Sequence, residues 1–507
     1  MNKLFISKKH LLILLLILLL AGFLRIYKLG NQSFIADEYI GINVSYGLHQ
    51  TGQWKYWDFN SETITDRDYT RGQVYYWQVA QLFKFFEPTE QNSRLVSVMW
   101  GLLGVATIFF VTFWITKNIY IALMSAFLLS MSVSALMFDR KLRMYSMFAP
   151  VYFLFSYIIF QFLESKKYLT VPKILVNLSR KTGLNLFYLP LMLLLGVLAL
   201  LTHLLTVNIV STIIAYLVIM AIVAHKKKLA ISKNKYFLYL GLLVVLIAGM
   251  SQTKTFGQAA NFFELGKSTW SYLEKISLDY RHELLALTFF FFGCYYLIKK
   301  YGNVGVWTIL SFLTPLLSAI FLWDRSAGHQ YIYFTQPFKV VIMAAGIYFV
   351  AKIVSEKVFS RSKLSLELTL AYFILILINL PFFISSDSFY QNPRHWDYSN
   401  YREAYNYFLK KSDPDEAILM RKFMSFNVKG ANREILEYGA GNKLTLEKLE
   451  EIQKKHDGLW LINTDGEFNI KSDAKKHIKN EFSLIKTKYT NDKVQIWHWE
   501  KEKLNND

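Results

Sequence analysis

Apolar runs that are long enough to cross a bilayer recur along most of the chain. A transmembrane helix needs about 20 mostly apolar residues. Runs of this kind begin near Leu11, Leu95, Ile119, Tyr145, Leu186, Leu205, Tyr236, Leu284, Val304, Phe338 and Leu366. The stretch 186–224 is long enough for two helices, and we divide it at His203 into a tight hairpin. The pattern therefore predicts an α-helical polytopic membrane protein with about 11 transmembrane helices.

Basic residues concentrate in alternate connectors between these runs. Lysines are most frequent at Lys117 and in the segments 166–181, 226–235, 299–300 and 352–363. Because cytoplasmic connectors carry an excess of Lys and Arg, we expect these connectors to face the cytoplasm. Lysines also precede the first run, and no small-x-small cleavage site follows it. We therefore expect an uncleaved first helix, a cytoplasmic N-terminus and a multi-pass protein of the cell membrane.

The remaining connectors are then extracytoplasmic, and the first of them, residues 30–94, is unusually long and rich in Trp and Tyr. Within it, Gln73 to Phe86 places apolar residues at helical spacing, which predicts an amphipathic helix lying in the membrane interface. The aromatic residues of this loop have two open interpretations, an interfacial belt or stacking on a sugar ring. Residues 1–385, including this loop, form the predicted transmembrane domain.

The tail has a different pattern from the rest of the chain. From about Asn392 it is polar and charged, with predicted helices at Tyr401 to Lys411 and Thr445 to Lys455. Short apolar strands are predicted at 417–420, 458–463 and 494–499. This alternation predicts a small soluble α/β domain over residues 386–507. Because the N-terminus is expected in the cytoplasm and the number of spans is odd, we expect this domain to be extracytoplasmic. Recognition or structural support is its expected role.

Composition supports a membrane protein and changes the interpretation of its charge. Hydrophobic residues make up 53% of the 507 residues and charged residues only 19%, which is too apolar for an ordinary soluble protein. The 57 Lys and Arg exceed the 37 Asp and Glu. Because they cluster in short connectors, this excess encodes topology, and no nucleic-acid partner is expected. The single cysteine, Cys294, lies in an apolar run, which excludes a disulfide framework and a thiolate metal site.

Charged residues near membrane helices are costly and are therefore candidates for function. Several lie in the predicted outer connectors, among them Asp37, Glu38, Asp139, Arg140, Arg143 and Arg325. Carboxylates beside arginines suit an anionic substrate whose phosphate is held by guanidinium groups while a carboxylate takes a proton from an acceptor. A phosphate attached to a sugar can leave without being protonated. In a membrane, the natural donor of this type is a polyprenyl-phosphate sugar.

Four short segments carry a family resemblance in their order. They are Leu24-Arg25-Ile26, Asp37-Glu38-Tyr39, Ser93-Arg94-Leu95 and the segment Arg140-Lys141-Leu142-Arg143-Met144-Tyr145. Together with the topology, this order resembles the membrane glycosyltransferases of the GT-C fold. The resemblance is strongest to the branch that contains protein O-mannosyltransferases and lipid A aminoarabinose transferases. It covers the membrane part in order and extends to the tail.

The resemblance implies roles for individual residues. Asp37 matches the proposed catalytic base, with Glu38 beside it, and Asp139 matches a second acidic residue. The residues implied in binding the donor phosphate are Arg140, Arg143 and Arg325, and those implied in binding substrate are Tyr145, His203, His329 and Tyr331. One departure concerns the late outer loop, where many relatives have Arg-Tyr and this chain has Gln330-Tyr331.

Structural alternatives to these roles stay open. Asp37 could cap a helix or be an interfacial charge, and Glu38 could orient other groups. Asp139 could simply pair with a neighbouring arginine. Arg94 could be a structural arginine at a helix end, and His203 could be satisfied within the helix packing.

The combined expectation is an inverting glycosyltransferase. It would move a sugar from a polyprenyl-phosphate donor to a hydroxyl of a protein, glycolipid or cell-envelope polymer at the outer face of the membrane. The expected partners are this donor, membrane lipid and the acceptor. A transporter or flippase of lipid-linked saccharides is the main alternative, and a non-catalytic binding protein is a second one. No metal site is assigned, although acidic outer loops could hold a divalent cation through oxygen ligands.

Overall fold

The computed structural model describes residues 7–166, 173–226, 234–250, 269–273, 283–323, 328–357, 364–384, 400–439, 442–464, 469–485 and 494–501. Most of these residues are helical. The chain divides into two compact units. The first consists of Met1–Tyr27, Ser97–Arg140 and Met144–Ser385, and the second of Lys28–Val96, Lys141–Arg143 and Ser386–Asp507. Residues 386–507 thus share a unit with the whole of the long first connector, residues 30–94.

The first unit is built from helices, and a helix begins within a few residues of every predicted apolar run. Their bounds are Lys8–Ile26, Leu95–Thr116, Ile119–Ser130, Val133–Asp139, Tyr145–Glu164, Lys173–Thr182, Leu189–Thr202, Asn208–Lys226, Lys235–Met250, Glu283–Tyr301, Asn303–Phe321, Gln336–Lys357 and Leu364–Ile384. Within the described residues, 6 helices are long and apolar enough to span a membrane, or up to 8 if each of two bent pairs forms one span. The chain is a multi-pass membrane protein, and the count of eleven stays a prediction.

The apolar run from Ile119 is a bent pair of helices and not one straight span. The helix Ile119–Ser130 ends, and Val133–Asp139 continues at an angle of 59°. The Ser132 side chain accepts a hydrogen bond from the Ala135 amide, so this serine caps the second helix. As a result, Asp139 lies at the end of a short buried helix.

The predicted hairpin break at His203 is present. The helix Leu189–Thr202 ends there, a 3₁₀ turn covers Leu204–Val207, and the next helix runs over Asn208–Lys226. The His203 ring accepts a hydrogen bond from the Leu205 amide at 3.0 Å. This histidine therefore caps the turn that separates the two helices.

The second unit includes the long first connector, which is more structured than its sequence pattern indicates. It contains the helices Ala36–Thr51, Gln73–Leu82 and Glu90–Ser93. Strands β1 (Lys55–Asp58) and β2 (Thr63–Asp68) form an antiparallel hairpin. The helix predicted over 73–86 ends earlier, at Leu82. Tyr75 and Tyr76 are fully buried within the unit, whereas Phe85 and Phe86 beyond the helix are exposed.

The C-terminal part of the second unit has a mixed sheet covered by helices. The strands are β3 (Ala417–Met420), β4 (Ile435–Glu437), β5 (Gly458–Thr464), β6 (Ser483–Ile485) and β7 (Val494–Glu500), in the order β4-β3-β5-β7-β6. β3 is parallel to β4 and β5, whereas β7 is antiparallel to β5 and β6. The helices are Tyr401–Lys411, Leu446–Lys455 and Ser472–Glu481. Apolar side chains such as Leu419, Leu461 and Ile478 form the core.

Polar contacts attach this sheet region to the first connector inside the second unit. The Arg402 guanidinium donates to the carbonyls of Gly30 and Asn31 and pairs with Glu90. The Tyr39 hydroxyl donates to Asn427 at 2.9 Å. Because these partly buried contacts join groups more than 300 residues apart in the chain, they fix the connector to the C-terminal region.

Candidate active site

The helix Ala36–Thr51 positions the first acidic pair. Asp37 and Glu38 lie in its first turn, where negative charge is favoured by the helix dipole. The Glu38 carboxylate also reaches back to accept a hydrogen bond from the Ile35 amide at 3.0 Å. The helix ends at Gly52, whose φ of 72° is the left-handed conformation that glycine adopts easily. This geometry fixes where the two carboxylates point.

The Glu38 carboxylate is buried and fully used in hydrogen bonds. Its two oxygens form a bidentate pair with Arg94, at 2.8 Å to Nε and 2.9 Å to Nη2. The Leu142 amide donates to Oε1 at 2.7 Å, in addition to the Ile35 amide on Oε2. With four donors on two oxygens and no exposed surface, Glu38 is built to hold other groups in place.

Arg94 connects Glu38 to the chain that leads into the helix. Besides the two bonds to Glu38, its guanidinium donates to the carbonyl oxygens of Leu29, Gln32 and Ser33. All five N–H groups of the side chain are therefore engaged. Through this pair, the entry loop, the first turn of the helix and the segment 141–143 are held together.

Asp37 has a very different environment. Its side chain is 45% exposed and forms an ion pair with Arg143, with 3.1 Å between Oδ2 and Nη2. Arg143 also donates to the Asp37 carbonyl oxygen at 3.2 Å. The Arg143 guanidinium thus contacts both the carboxylate and the backbone carbonyl of Asp37, and the carboxylate is half-exposed.

Burial and charge shift the pKa values of two groups near this pair. Burial raises the pKa of Glu38, but the charge and hydrogen bonds of Arg94, with the Leu142 and Ile35 amides, hold it below its ordinary value of 4.5. Burial lowers the pKa of the Lys141 ammonium, and the Glu38 carboxylate partly opposes this effect. Glu38 is therefore a stable carboxylate, whereas burial disfavours the charged form of Lys141 beside Asp37 and Arg143.

The lowered pKa of Glu38 predicts a pH-dependent contribution to stability. Because folded Glu38 binds its proton less readily than unfolded Glu38, its stabilisation is complete above pH 4.5 and is lost as the pH falls through the lower folded-state pKa. We expect Glu38→Gln to lower the melting temperature near neutral pH and the difference from wild type to shrink in acid. Thermal unfolding in detergent from about pH 7 to about pH 3.5 measures this. A difference that is constant across the range would contradict the assignment.

In the first unit, Asp139 is buried in an ion pair with Arg25. The Arg25 Nη2 lies 2.8 Å from Asp139 Oδ2, and Nε donates to the same oxygen at 2.9 Å. The Tyr333 hydroxyl donates to Oδ1 at 3.4 Å. Gly101 faces the pair so closely that a Cβ there would lie 2.5 Å from the carboxyl carbon of Asp139. The pair is thus packed against a neighbouring helix and linked to the helix Lys8–Ile26.

Arg140 caps the end of the helix Lys8–Ile26. Its Nη1 donates to the carbonyl oxygens of Leu24, Arg25 and Tyr27 at 3.2, 2.8 and 2.7 Å. Carbonyl groups at a helix C-terminus lack partners within the helix, and a cation there is favoured by the dipole. The Arg140 side chain therefore serves this helix end.

Three of the predicted substrate-binding residues lie in one aromatic cluster of the first unit. Tyr145 packs against His203 with ring centres 5.2 Å apart. Phe138 contacts both Tyr145, at 5.9 Å, and His329, at 5.4 Å. His329 also forms a hydrogen bond with Ser134 at 2.9 Å. Phe138 thus joins the three side chains that the sequence analysis selected separately.

Two of the predicted residues remain, Tyr331 and Arg325. Tyr331 lies in the 3₁₀ turn His329–Tyr331 and is half-buried. Arg325 lies outside the described residues. Among the described residues, the candidate metal-ligand group is Glu416, His498 and Glu500. The Glu416 oxygens already accept hydrogen bonds from Trp460 and the Asp413 amide.

Solved structures with the same architecture include two kinds of membrane enzyme. The oligosaccharyltransferase AglB from Archaeoglobus fulgidus, solved with an inhibitory peptide and a dolichol-phosphate, gives a TM-score of 0.60 at 11% identity, over 90% of this chain and 69% of that one. ArnT from Cupriavidus metallidurans bound to undecaprenyl phosphate gives 0.56 at 9% identity, over 97% and 98%. The chain has the GT-C fold. The resemblance drawn from the sequence is thereby confirmed for the fold.

Comparisons by sequence found no relatives of this chain. No protein-family model matches it. None of the curated proteins matches it either. Because the identities to the solved structures are near 10%, these structures show the fold of the chain, and the roles of its residues depend on its own geometry.

The sequence analysis did not identify two partners that complete these arrangements. Arg25 is fully buried at the end of a membrane helix, and a charge in that position is itself a signal for a buried partner. Lys141 lies between two selected arginines and acts on Asp37 and Glu38 through its charge. Both residues lie in segments that carry the family resemblance, but the sequence predicted a role for neither, because sequence alone does not reveal which side of a connector each side chain faces.

Proposed function

We propose that this protein transfers a sugar from a polyprenyl-phosphate donor to an acceptor hydroxyl at the outer face of the cell membrane. The observation that carries the proposal is the pair of Asp37 and Arg143, a half-exposed carboxylate held 3.1 Å from a guanidinium. A carboxylate can accept a proton, and a guanidinium can hold a phosphate. The GT-C fold, which is shared with proteins solved with dolichol-phosphate and undecaprenyl phosphate, supports a donor of this class.

The reaction is a single displacement. Asp37 removes the proton from the acceptor hydroxyl, and the freed oxygen attacks the anomeric carbon of the sugar. The bond between that carbon and the phosphate oxygen breaks, and the lipid phosphate leaves with the electron pair. Arg143 and Lys141 stabilise the negative charge on the departing phosphate. One displacement inverts the configuration at the anomeric carbon.

The other selected residues take supporting roles in this proposal. Glu38 is a positioning residue, because its oxygens are occupied by Arg94 and two amides and it fixes Leu142 next to Arg143. Asp139 and Arg140 hold the helix Lys8–Ile26. Tyr145, His203 and His329 belong to one aromatic cluster of the first unit, and we assign them a role in binding the donor.

A donor panel tests the proposed function. Purified protein in lipid nanodiscs is incubated with radiolabelled polyprenyl-phosphate sugars and with membrane extract as acceptor. We expect at least one donor to release its lipid phosphate while label appears in the acceptor. If no donor is consumed, but intact lipid-linked sugar crosses the bilayer of reconstituted vesicles, the protein is a flippase and the proposal fails.

A further inference from the structure

A half-open cleft lies inside the second unit, between the β1–β2 hairpin and the C-terminal region. Its volume is about 210 Å³. The walls are formed by Asn43, Trp57, Asp58, Arg67, Lys422 and Glu437, together with their neighbours. None of these residues has a role in the acidic pair or in the Asp139 arrangement.

One residue of the cleft wall, Asn43, has a buried hydrogen-bond acceptor without a partner. The side chain is 1% exposed, and its amide nitrogen donates to the Phe423 carbonyl oxygen at 2.7 Å. Its carbonyl oxygen, Oδ1, is buried without a hydrogen-bond partner. An unpaired buried acceptor costs free energy, so the cleft wall contains a polar side chain whose hydrogen bonding is only partly satisfied.

The lining points to a ligand with both hydroxyl groups and apolar C–H faces. Carboxylates of Asp58 and Glu437 can accept hydrogen bonds, whereas Arg67 and Lys422 can donate them. Trp57 is half-buried and supplies a flat aromatic surface. A sugar ring has this combination of properties, with hydroxyls at its rim and C–H groups on its faces.

Size and geometry argue against other ligand classes. Pockets for drug-sized molecules have volumes of about 300–1,000 Å³, so the cleft suits one ring better than a long extended peptide. A cation would need several ligand atoms gathered together. Among the described residues, such a group occurs at Glu416, His498 and Glu500, which is elsewhere in the unit.

The cleft lies near the Asp37–Arg143 pair. Tyr56, on its wall, packs against Tyr69 with ring centres 5.9 Å apart, and Tyr69 packs against Tyr76 at 5.8 Å. Burial raises the pKa of Tyr56, and the charges of Arg67 and Arg143 oppose this rise. Tyr76 and Leu142, which precedes Arg143, both lie against Gly41 of the helix that carries Asp37. A row of three tyrosines thus runs from the cleft towards the helix that carries the pair.

We propose that this cleft binds a sugar ring of the acceptor, so that the acceptor is a saccharide-containing molecule held beside Asp37. The acceptor role of the bound saccharide rests on the proposed function, whereas saccharide binding at the cleft does not depend on it. Asp58 and Glu437 accept hydrogen bonds from the sugar hydroxyls, and Trp57 covers one face of the ring.

Direct binding tests the cleft separately from transfer. Methyl glycosides of glucose, galactose, mannose and N-acetylglucosamine are added, without donor, to full-length protein in nanodiscs and followed by saturation-transfer NMR. We expect at least one glycoside to bind and its affinity to fall at least tenfold in both Trp57→Leu and Glu437→Gln. Glu437 is exposed, so its variant should fold normally. Trp77→Leu is the matched control, because Trp77 is 52% exposed and does not line the cleft.

Each result separates the two proposals. If no glycoside binds, or if binding persists in both cleft variants, the cleft proposal is overturned even when the donor panel shows transfer. If a glycoside binds at the cleft but transfer occurs only to peptides, the acceptor role is overturned. Binding at the cleft together with transfer to a glycan, both reduced by Glu437→Gln, is the result that we expect.

Discussion

Asp37→Asn is expected to reduce sugar transfer by about 10²-fold or more, as the loss of a general base does. Asn has nearly the size of Asp and can still accept a hydrogen bond from Arg143, but it cannot take the acceptor proton. Because the ion pair with Arg143 is half-exposed, its loss should change stability by no more than about 1 kcal/mol. The transfer rate and the melting temperature of the same preparation measure both effects.

Asp457→Asn is the matched control for this experiment. Asp457 is an exposed carboxylate of the second unit and pairs with Lys501 at 3.3 Å. The control should transfer sugar at the wild-type rate. If Asp37→Asn also keeps that rate, Asp37 is not the base, and the assignment of the Asp37–Arg143 pair as the reacting centre is wrong.

Removal of Asp139 is expected to have the largest effect on stability. Asp139→Ala leaves the guanidinium of Arg25 buried without its carboxylate, and breaking a buried pair in this way costs about 3–5 kcal/mol. Replacing both partners with apolar residues of similar volume removes the buried charge as well. We therefore expect Arg25→Met/Asp139→Leu to recover most of the lost stability. Thermal unfolding of the two variants in nanodiscs measures the difference.

The double variant also separates a structural role from a catalytic one. In our account Asp139 holds two helices together through Arg25, so the double variant should transfer sugar at a rate within about tenfold of wild type. A double variant that is as stable as wild type but inactive would show that Asp139 takes a direct part in the reaction. That result would support the role implied by the family resemblance.

Much of the helical framework could be predicted because membrane helices have a strong sequence signal. The run from Tyr145 begins at the predicted residue, and the break at His203 is present. In the tail, the helix Tyr401–Lys411 and the strand Ala417–Met420 have their predicted bounds. Length and continuous apolar character determine such elements locally.

Other elements could not be predicted, because tertiary contacts decide them. The helix Ala36–Thr51 contains two glycines and a mixed polar pattern, and it is stabilised by packing against β1 and by contacts to the C-terminal region. The strands β4 and β6 have only three residues each and form at the edges of an existing sheet. Short edge strands have too little sequence pattern to be recognised.

The candidate site shows the same limit at the level of single residues. Asp37 and Glu38 are adjacent in sequence, yet one is half-exposed and the other is fully buried. The difference comes from Arg94, which lies 56 residues away and forms the buried ion pair with Glu38. Likewise, Asp139 pairs with Arg25 across 114 residues rather than with its neighbour Arg140. Sequence reasoning selects such residues, but the partners that decide their roles come from the fold.

The stereochemistry of the transferred sugar tests the central claim most directly. A polyprenyl-phosphate sugar of known anomeric configuration is used as donor, and the new glycosidic bond is assigned by NMR from the coupling at the anomeric proton. A single displacement assisted by Asp37 predicts a product with inverted configuration. A product with retained configuration is not possible in a single in-line displacement, and it would contradict the proposed mechanism in which Asp37 acts as the base.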